Sequence, residues 1–303
     1  MRPTLSLGLL NFDASPTLAS LERWIDLAER AERAGIDRLV AVDHVVMGDH
    51  IDAYDGGRFP TGPEGSWIEP LTLLAVLAGR THSIRLSTGI LIAGLRPAAL
   101  LAKTVATLDV ASGGRIDLGV GAGWQREEYE AMGLDFATRG KRLDDTLGAC
   151  EVLWRDAPAT FTSTTVSFGP TWCSPMPIQA DGVPLWIAGR ITDRTVARMV
   201  RFGSGWIPWG EYQRDIVRGI EELKRPFEEA GRSLSEFGVR GSMVLKKEES
   251  GSINVDATLE PLRDLIGAGV NDFGIVGLLP DDGDEAEAML SKLVVGFDDL
   301  TAR

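Results

Sequence analysis

Asp43 and His44, inside the apolar run at 38–46 (RLVAVDHVV), are the first residues in the chain equipped for proton chemistry. A histidine titrates near neutrality, so His44 can accept or return a proton while a substrate is oxidised or reduced. Neighbours on a regular strand point to opposite faces, so only one of the pair faces a ligand unless the strand is already curling. The plainer reading is a satisfied, half-buried side chain between Val42 and Val45. The position just before a long loop favours the functional one.

A second constellation lies at 116–133 (IDLGVGAGWQREEYEAMG). Gly119, Gly121 and Gly123 alternate along an apolar run that turns at once into an acidic, helix-forming stretch. Glycine permits close backbone approach, and the helix that follows begins with unpaired amide donors. A dinucleotide fingerprint needs a third glycine where Trp124 stands. A ligand wall of Gly121, Gly123, Trp124 and Glu128 therefore competes with a structural turn, and Glu127 reads as an acid that suits the helix dipole.

The third is 189–192 (GRIT). Thr192 is a helix N-cap candidate, and Gly189, Arg190 and Thr192 together form a phosphate site or, more plainly, a capped helix. Arg190, Arg194 and Arg198 fall four apart and form the best local anion site in a chain of net charge −13. Ala188 and Trp209 close two further apolar runs, PLWIA and WIPW, beside this turn.

Composition removes other classes. The charge of −13 argues against a nucleic-acid partner. No apolar run reaches membrane-spanning length and no signal-peptide core follows Met1, so a cytoplasmic protein with no membrane partner is expected. His44, His50 and His82 are the only histidines and show no metal-ligand spacing, so no metal is expected. Cys150 and Cys173 read as ordinary thiols.

The elements that must position these residues alternate strictly. Strand-like runs at 5–12, 38–46, 84–93, 116–120, 184–188, 206–209, 237–246 and 272–279 are each followed by helical periodicity, at 19–34, 70–79, 98–111, 127–132 with 141–154, 192–202, 212–230, 255–268 and 285–297. Eight such units predict an α/β fold, a (β/α)8 TIM barrel over 1–303 as a single domain, with a doubly wound sheet as competitor. Ligand chemistry then belongs at the carboxyl ends of the strands, which is where all three constellations fall. The segment 48–67, rich in Gly, Pro and Asp, reads as a lid-like loop. The segment 155–181, with four prolines, reads as an excursion, a small hairpin. Gly89 inside the third strand marks a bulge or a close backbone approach.

The DH of strand two, STGILIAGLRPAALLAKTVATLDVASGGR, GVGAGWQREEYEAMG and PLWIAG resemble the luciferase-like monooxygenase superfamily, and within it the actinobacterial enzymes that use the deazaflavin coenzyme F420. The resemblance covers nearly the whole chain. It implies the same barrel with an insertion after the fourth unit, a homodimer, and a flavin or deazaflavin across the mouth. It also implies a non-prolyl cis peptide at Gly89-Ile90 behind the ring, and His44 at the hydride-transfer site. Trp124 stands where the sugar-phosphate dehydrogenases of the family carry a catalytic glutamate, and Tyr212 stands near the place of their phosphate-loop lysine. Both departures point to a more apolar small-molecule substrate. The resulting expectation is F420-dependent hydride transfer, with Asp43, His44 and Trp124 at the reaction and Gly89, Ile90, Gly121, Gly123, Glu128, Ala188, Gly189, Arg190, Thr192 and Trp209 around the coenzyme. The alternatives are an FMN-dependent monooxygenase fed by a partner reductase, and a barrel that binds coenzyme without turnover.

Overall fold

The structure, a computed structural model, describes residues 2–15, 18, 20–249 and 251–302. Eight parallel strands close into a barrel: β1 (Thr4–Gly8), β2 (Arg38–Ala41), β3 (Arg85–Thr88), β4 (Ile116–Val120), β5 (Leu185–Gly189), β6 (Gly205–Pro208), β7 (Gly238–Val244) and β8 (Asp272–Val276). Each pairs with its sequence neighbours, and β8 returns to β1 through Thr4 opposite Asp272. This is the (β/α)8 fold expected from strict alternation, and closure rules out the doubly wound sheet.

The helices pack outside: α1 (Glu22–Ala34), α2 (Pro70–Ala78), α3 (Ala98–Ser112), α4 (Arg126–Ala131), α5 (Arg139–Arg155), α6 (Asp193–Phe202), α7 (Ile216–Glu229), α8 (Val255–Leu259), α9 (Leu262–Ala268) and α10 (Gly283–Thr301). Local chemistry sets many of their ends. Glu69 caps α2 by accepting from the Thr72 amide, with Pro70 at the first position, and Gly113 ends α3 in the left-handed region at φ 71°. The helix expected over 255–268 is two helices. Pro261 supplies no amide hydrogen and separates α8 from α9. The helix expected over 212–230 begins only at Ile216, because 210–213 is a 3-10 turn. Of the helix expected over 19–34, Ala19 lies outside the described residues.

Several strands stop short of the apolar runs that suggested them, three of them beside the site. β1 ends at Gly8, and Phe12–Asp13 instead pairs antiparallel with Ser66–Trp67 at the far end of the 48–67 loop. β2 ends at Ala41, so Asp43 and His44 sit in irregular chain and both can serve the mouth side. β3 ends at Thr88, immediately before the non-prolyl cis peptide Gly89-Ile90. The segment 155–181 contains the hairpin Ala159–Thr162 with Ser167–Thr171.

Inside the barrel the strands alternate, and one layer of inward positions is polar. Ser6, Arg38, Asp117, Arg240 and Asp272 bond to one another around the axis. Outward Leu5, Leu7, Leu39, Leu86, Leu118, Ile187 and Phe273 belong to the core beneath the helices.

Candidate active site

Asn11 fixes the ground on which the site stands. Fully buried just past β1, it donates from Nδ2 to the carbonyls of Val42 (2.8 Å) and Ile68 (2.7 Å) and accepts from the Val42 amide (2.7 Å). One side chain thus joins the ends of β1 and β2 to the end of the 48–67 loop. Asp43 follows, its carboxylate wholly committed. Arg96 holds it with both terminal nitrogens at 2.7 and 3.0 Å, and the Ile92 amide donates to it at 2.8 Å. Arg96 reaches on to Glu69 at 2.8 Å. Asp43, expected at the reaction, clamps the β2 and β3 ends together, with both oxygens engaged.

His44 is buried and walled by aromatic rings, with Trp67, Phe59 and Trp124 at centroid distances of 4.6, 5.5 and 5.7 Å, all edge-on. Tyr54 packs on Phe59, Trp124 and Trp209. Such pairs stabilise by about 0.5–1.5 kcal/mol each beyond their buried area. His44 Nδ1 lies 3.1 Å from Glu128 Oε2, close enough for an ion pair but misaligned for a hydrogen bond. Glu128 is fully buried and accepts only from the Val45 amide, at 2.9 Å. Expected at the coenzyme, Glu128 is buried and faces His44. His44 Nε2 has no protein partner among the described residues.

The 48–67 loop covers this wall and is tied at several points. Gln125 exchanges hydrogen bonds with the Gly48 backbone (3.1 and 3.3 Å), and Glu127 pairs with His50. Asp55 accepts from Arg190 (2.7 Å) and from the Trp209 indole (2.8 Å), across the mouth at the ends of β5 and β6. Glu127 is therefore a loop anchor, beyond any dipole effect. Its carboxylate raises the His50 pKa above the ordinary histidine value by accepting a hydrogen bond, and is itself lowered by His50.

The glycine row does a different job from the one expected. A Cβ on Gly119 would lie 2.1 Å from the Thr88 carbonyl, one on Gly121 3.0 Å from Ile90, and one on Gly123 2.9 Å from Ile92. Alternate glycines on and after β4 thus face alternate residues on and after β3. The spaces that Gly121 and Gly123 leave are filled by isoleucine side chains, so these glycines seat the chain beyond β3 rather than clear room beside a ring. Only Gly123, at φ 71°, also needs glycine's backbone freedom. Ile90 packs in that seat with Gly89 before it.

Two of the three arginines in the stripe are likewise spoken for. Arg190 pairs with Asp55 and Glu211, and Arg198 is buried against Asp144 at 2.6 Å. Thr192 caps α6 by accepting from the Thr195 amide at 3.2 Å. Arg194 is exposed and has no hydrogen-bond or ion-pair partner among the described residues. Ala188, Gly189 and Trp209 stay partly exposed at the rim.

A cavity of about 440 Å³ opens at the mouth on the side of β1, β7 and β8, and Gly89 is the one residue of the expected set that lines it. Arg240 lines it from below, and its Nη2 is buried without a partner. Sequence reading marked the strand ends at Asn11 and Arg96 but missed Phe59, Trp67 and Arg240. Aromatic residues in an otherwise Gly- and Pro-rich loop, and an arginine inside an apolar strand, were the available signals.

Comparison with known proteins places this arrangement. Residues 7–246 match the profile of the luciferase-like monooxygenase family. An uncharacterised protein of Mycobacterium tuberculosis is 29% identical over 263 residues, covering 81% of this chain and 88% of the relative. Among solved structures, an F420-dependent secondary alcohol dehydrogenase, in complex with an F420-acetone adduct, superposes with a TM-score of 0.76 at 16% identity over 98% of this chain and 99% of the other. EDTA monooxygenase from Chelativorans sp. BNC1 superposes at 0.78 and 17% identity over 99% and 94%. At these identities the two structures speak to the fold. Among the described residues no helix is long and apolar enough to cross a membrane, and no cluster of His, Cys, Asp or Glu is arranged to hold a metal.

Proposed function

This chain belongs to the luciferase-like monooxygenase family, and from that premise we propose that it transfers a hydride between the deazaflavin coenzyme F420 and a small organic substrate of largely apolar body. The observation that carries the reading is His44, held 3.1 Å from the buried carboxylate of Glu128 inside a wall of Phe59, Trp67 and Trp124. Moving a hydride to or from a carbon that bears oxygen requires a proton to move as well. His44, with Nε2 unpartnered, takes that proton from a hydroxyl or returns it to a carbonyl. Glu128 supplies the opposite charge when the imidazole is protonated, and the rings exclude water that would otherwise exchange the proton.

The residues present fit a ring coenzyme. The mouth cavity is of ligand size and is bordered by Gly89. Ala188, Gly189 and Trp209 lie partly exposed at the ends of β5 and β6. When bound, the coenzyme supplies the hydride chemistry. Asp43 acts on this site by positioning, since it pins the loop that carries His44 to the turn after β3.

Titration of the purified protein with F420 and, separately, with FMN tests the reading through coenzyme fluorescence. F420 is expected to bind and FMN to bind much more weakly. Tight FMN binding with no F420 binding would replace this reading with an FMN-dependent monooxygenase served by a partner reductase.

A further inference from the structure

The polar layer inside the barrel is not balanced. Asp272 accepts from Arg240 Nε at 2.5 Å, from Ser6 at 2.6 Å and from Arg38. Asp117 accepts from Arg38 at 2.9 Å and from Arg85 at 2.7 Å. Three guanidinium groups thus share two carboxylates. Burial pushes Asp272 towards its neutral form, but Arg240, Arg38 and the Ser6 hydroxyl hold its pKa below the ordinary range, so the acid is already fully used by its neighbours. The surplus charge emerges at Arg240. Its side chain is only 10% exposed, it rests over the Trp186 ring at 5.0 Å, and its Nη2 has no acceptor.

A buried guanidinium with a free donor is costly unless an acceptor completes it. The acceptor's place is the mouth cavity, which Arg240 lines from below beside Gly89. Arg214, exposed at the rim with no side-chain partner among the described residues, lines the same cavity. No Asp or Glu lines it, in a chain of net charge −13. The remaining wall is largely apolar, with Val40, Val42, Ile207, Val244 and Val276.

We propose that this cavity takes, beside the coenzyme, the carboxylate of a small, otherwise apolar organic acid, with Arg240 Nη2 as the buried anchor and Arg214 as a second guanidinium at the rim. Guanidinium presents paired donors that match a carboxylate's two oxygens, which an ammonium does not. The proposal names the substrate class for the function above and rests on that reading only for turnover; the binding itself stands apart from it.

Calorimetric titration with benzoate and with its neutral counterpart benzamide, with and without added F420 or FMN, decides the matter. Benzoate is expected to bind at least about tenfold more tightly than benzamide. Arg240→Lys keeps a cation beside Asp272 but withdraws the second nitrogen, and should lower benzoate affinity about tenfold while leaving benzamide unchanged. Arg214→Gln should lower it severalfold, and this variant together with the wild-type benzoate and benzamide comparison decides the question if Arg240→Lys does not fold. Equal affinity for the two probes, no benzoate binding, or full benzoate affinity in Arg240→Lys overturns the proposal. So does an Arg240→Lys effect confined to coenzyme binding, which would assign the nitrogen to the coenzyme's carbonyl edge. Benzoate binding without binding of either coenzyme would sink the proposed function and leave this inference standing.

Discussion

Around β2 and β4 the mouth of the barrel is filled by the protein's own side chains, whereas around β7, β8 and β1 it stands open over an unpaired guanidinium. On the filled side Asp43 has every oxygen engaged and His44 is ringed by aromatics, and the 48–67 loop is tied down at Gly48, His50 and Asp55. On the open side valines and two arginines face a cavity of about 440 Å³. The contrast separates two tasks. A proton-handling group needs fixed geometry and little water, and ligand recognition needs room with a donor waiting.

The largest expected effect lies on the filled side. His44→Ala should lower kcat on a turned-over substrate by about 10²–10⁴-fold while coenzyme affinity is kept, as steady-state kinetics and coenzyme titration will show. Full activity in that variant would reduce the filled wall to packing and favour a barrel that binds coenzyme without turnover.

Asp43→Ala probes the same wall for stability. It strands a mostly buried Arg96 with Glu69 alone, and should cost about 3 kcal/mol in urea denaturation. A variant of unchanged stability that loses only rate would return Asp43 to the chemistry.

Gly123→Ala tests the seating of the chain beyond β3. A methyl 2.9 Å from Ile92, at a positive φ, should destabilise by about 1–3 kcal/mol by the same measurement. A neutral outcome would mean that the glycine row is free to serve a ligand after all.

The smallest effect concerns the loop anchor. Because the His50 pKa is raised, the His50–Glu127 pair is in place below the ordinary histidine value and is lost as pH rises through the raised one. At the acid end it persists until pH falls through the lowered Glu127 value. Acrylamide quenching of tryptophan fluorescence should therefore increase as pH rises through the raised His50 value in the wild-type protein, and His50→Gln should remove that step. An unchanged profile in His50→Gln would show that Gln125 and Asp55 hold the loop unaided.

Much of this was legible in the chain. Alternating apolar runs and helical periodicities were enough for the barrel, and the rule that chemistry gathers at strand ends drew attention to His44 and Trp124. Less was legible where a local pattern serves a distant partner. GVGAG reads as a ligand cradle because glycine marks close approach, and close approach is what it provides, but to Thr88, Ile90 and Ile92. GRIT reads as a phosphate turn because Arg190 looks free in its own segment, and Asp55, far away in the sequence, neutralises it.

The sequence by itself determined the order and type of the elements, because hydrophobic period and turn chemistry act over a few residues. It also determined that any ligand chemistry would gather at one end of the barrel. Only the tertiary structure decided which side chains meet there. Glu128 reaches His44, Asp43 closes on Arg96, and Arg240 is left one acceptor short, because barrel closure and strand register set which positions turn inward and which loops share the mouth. Those pairings join residues far apart in the chain, where no local window carries the information.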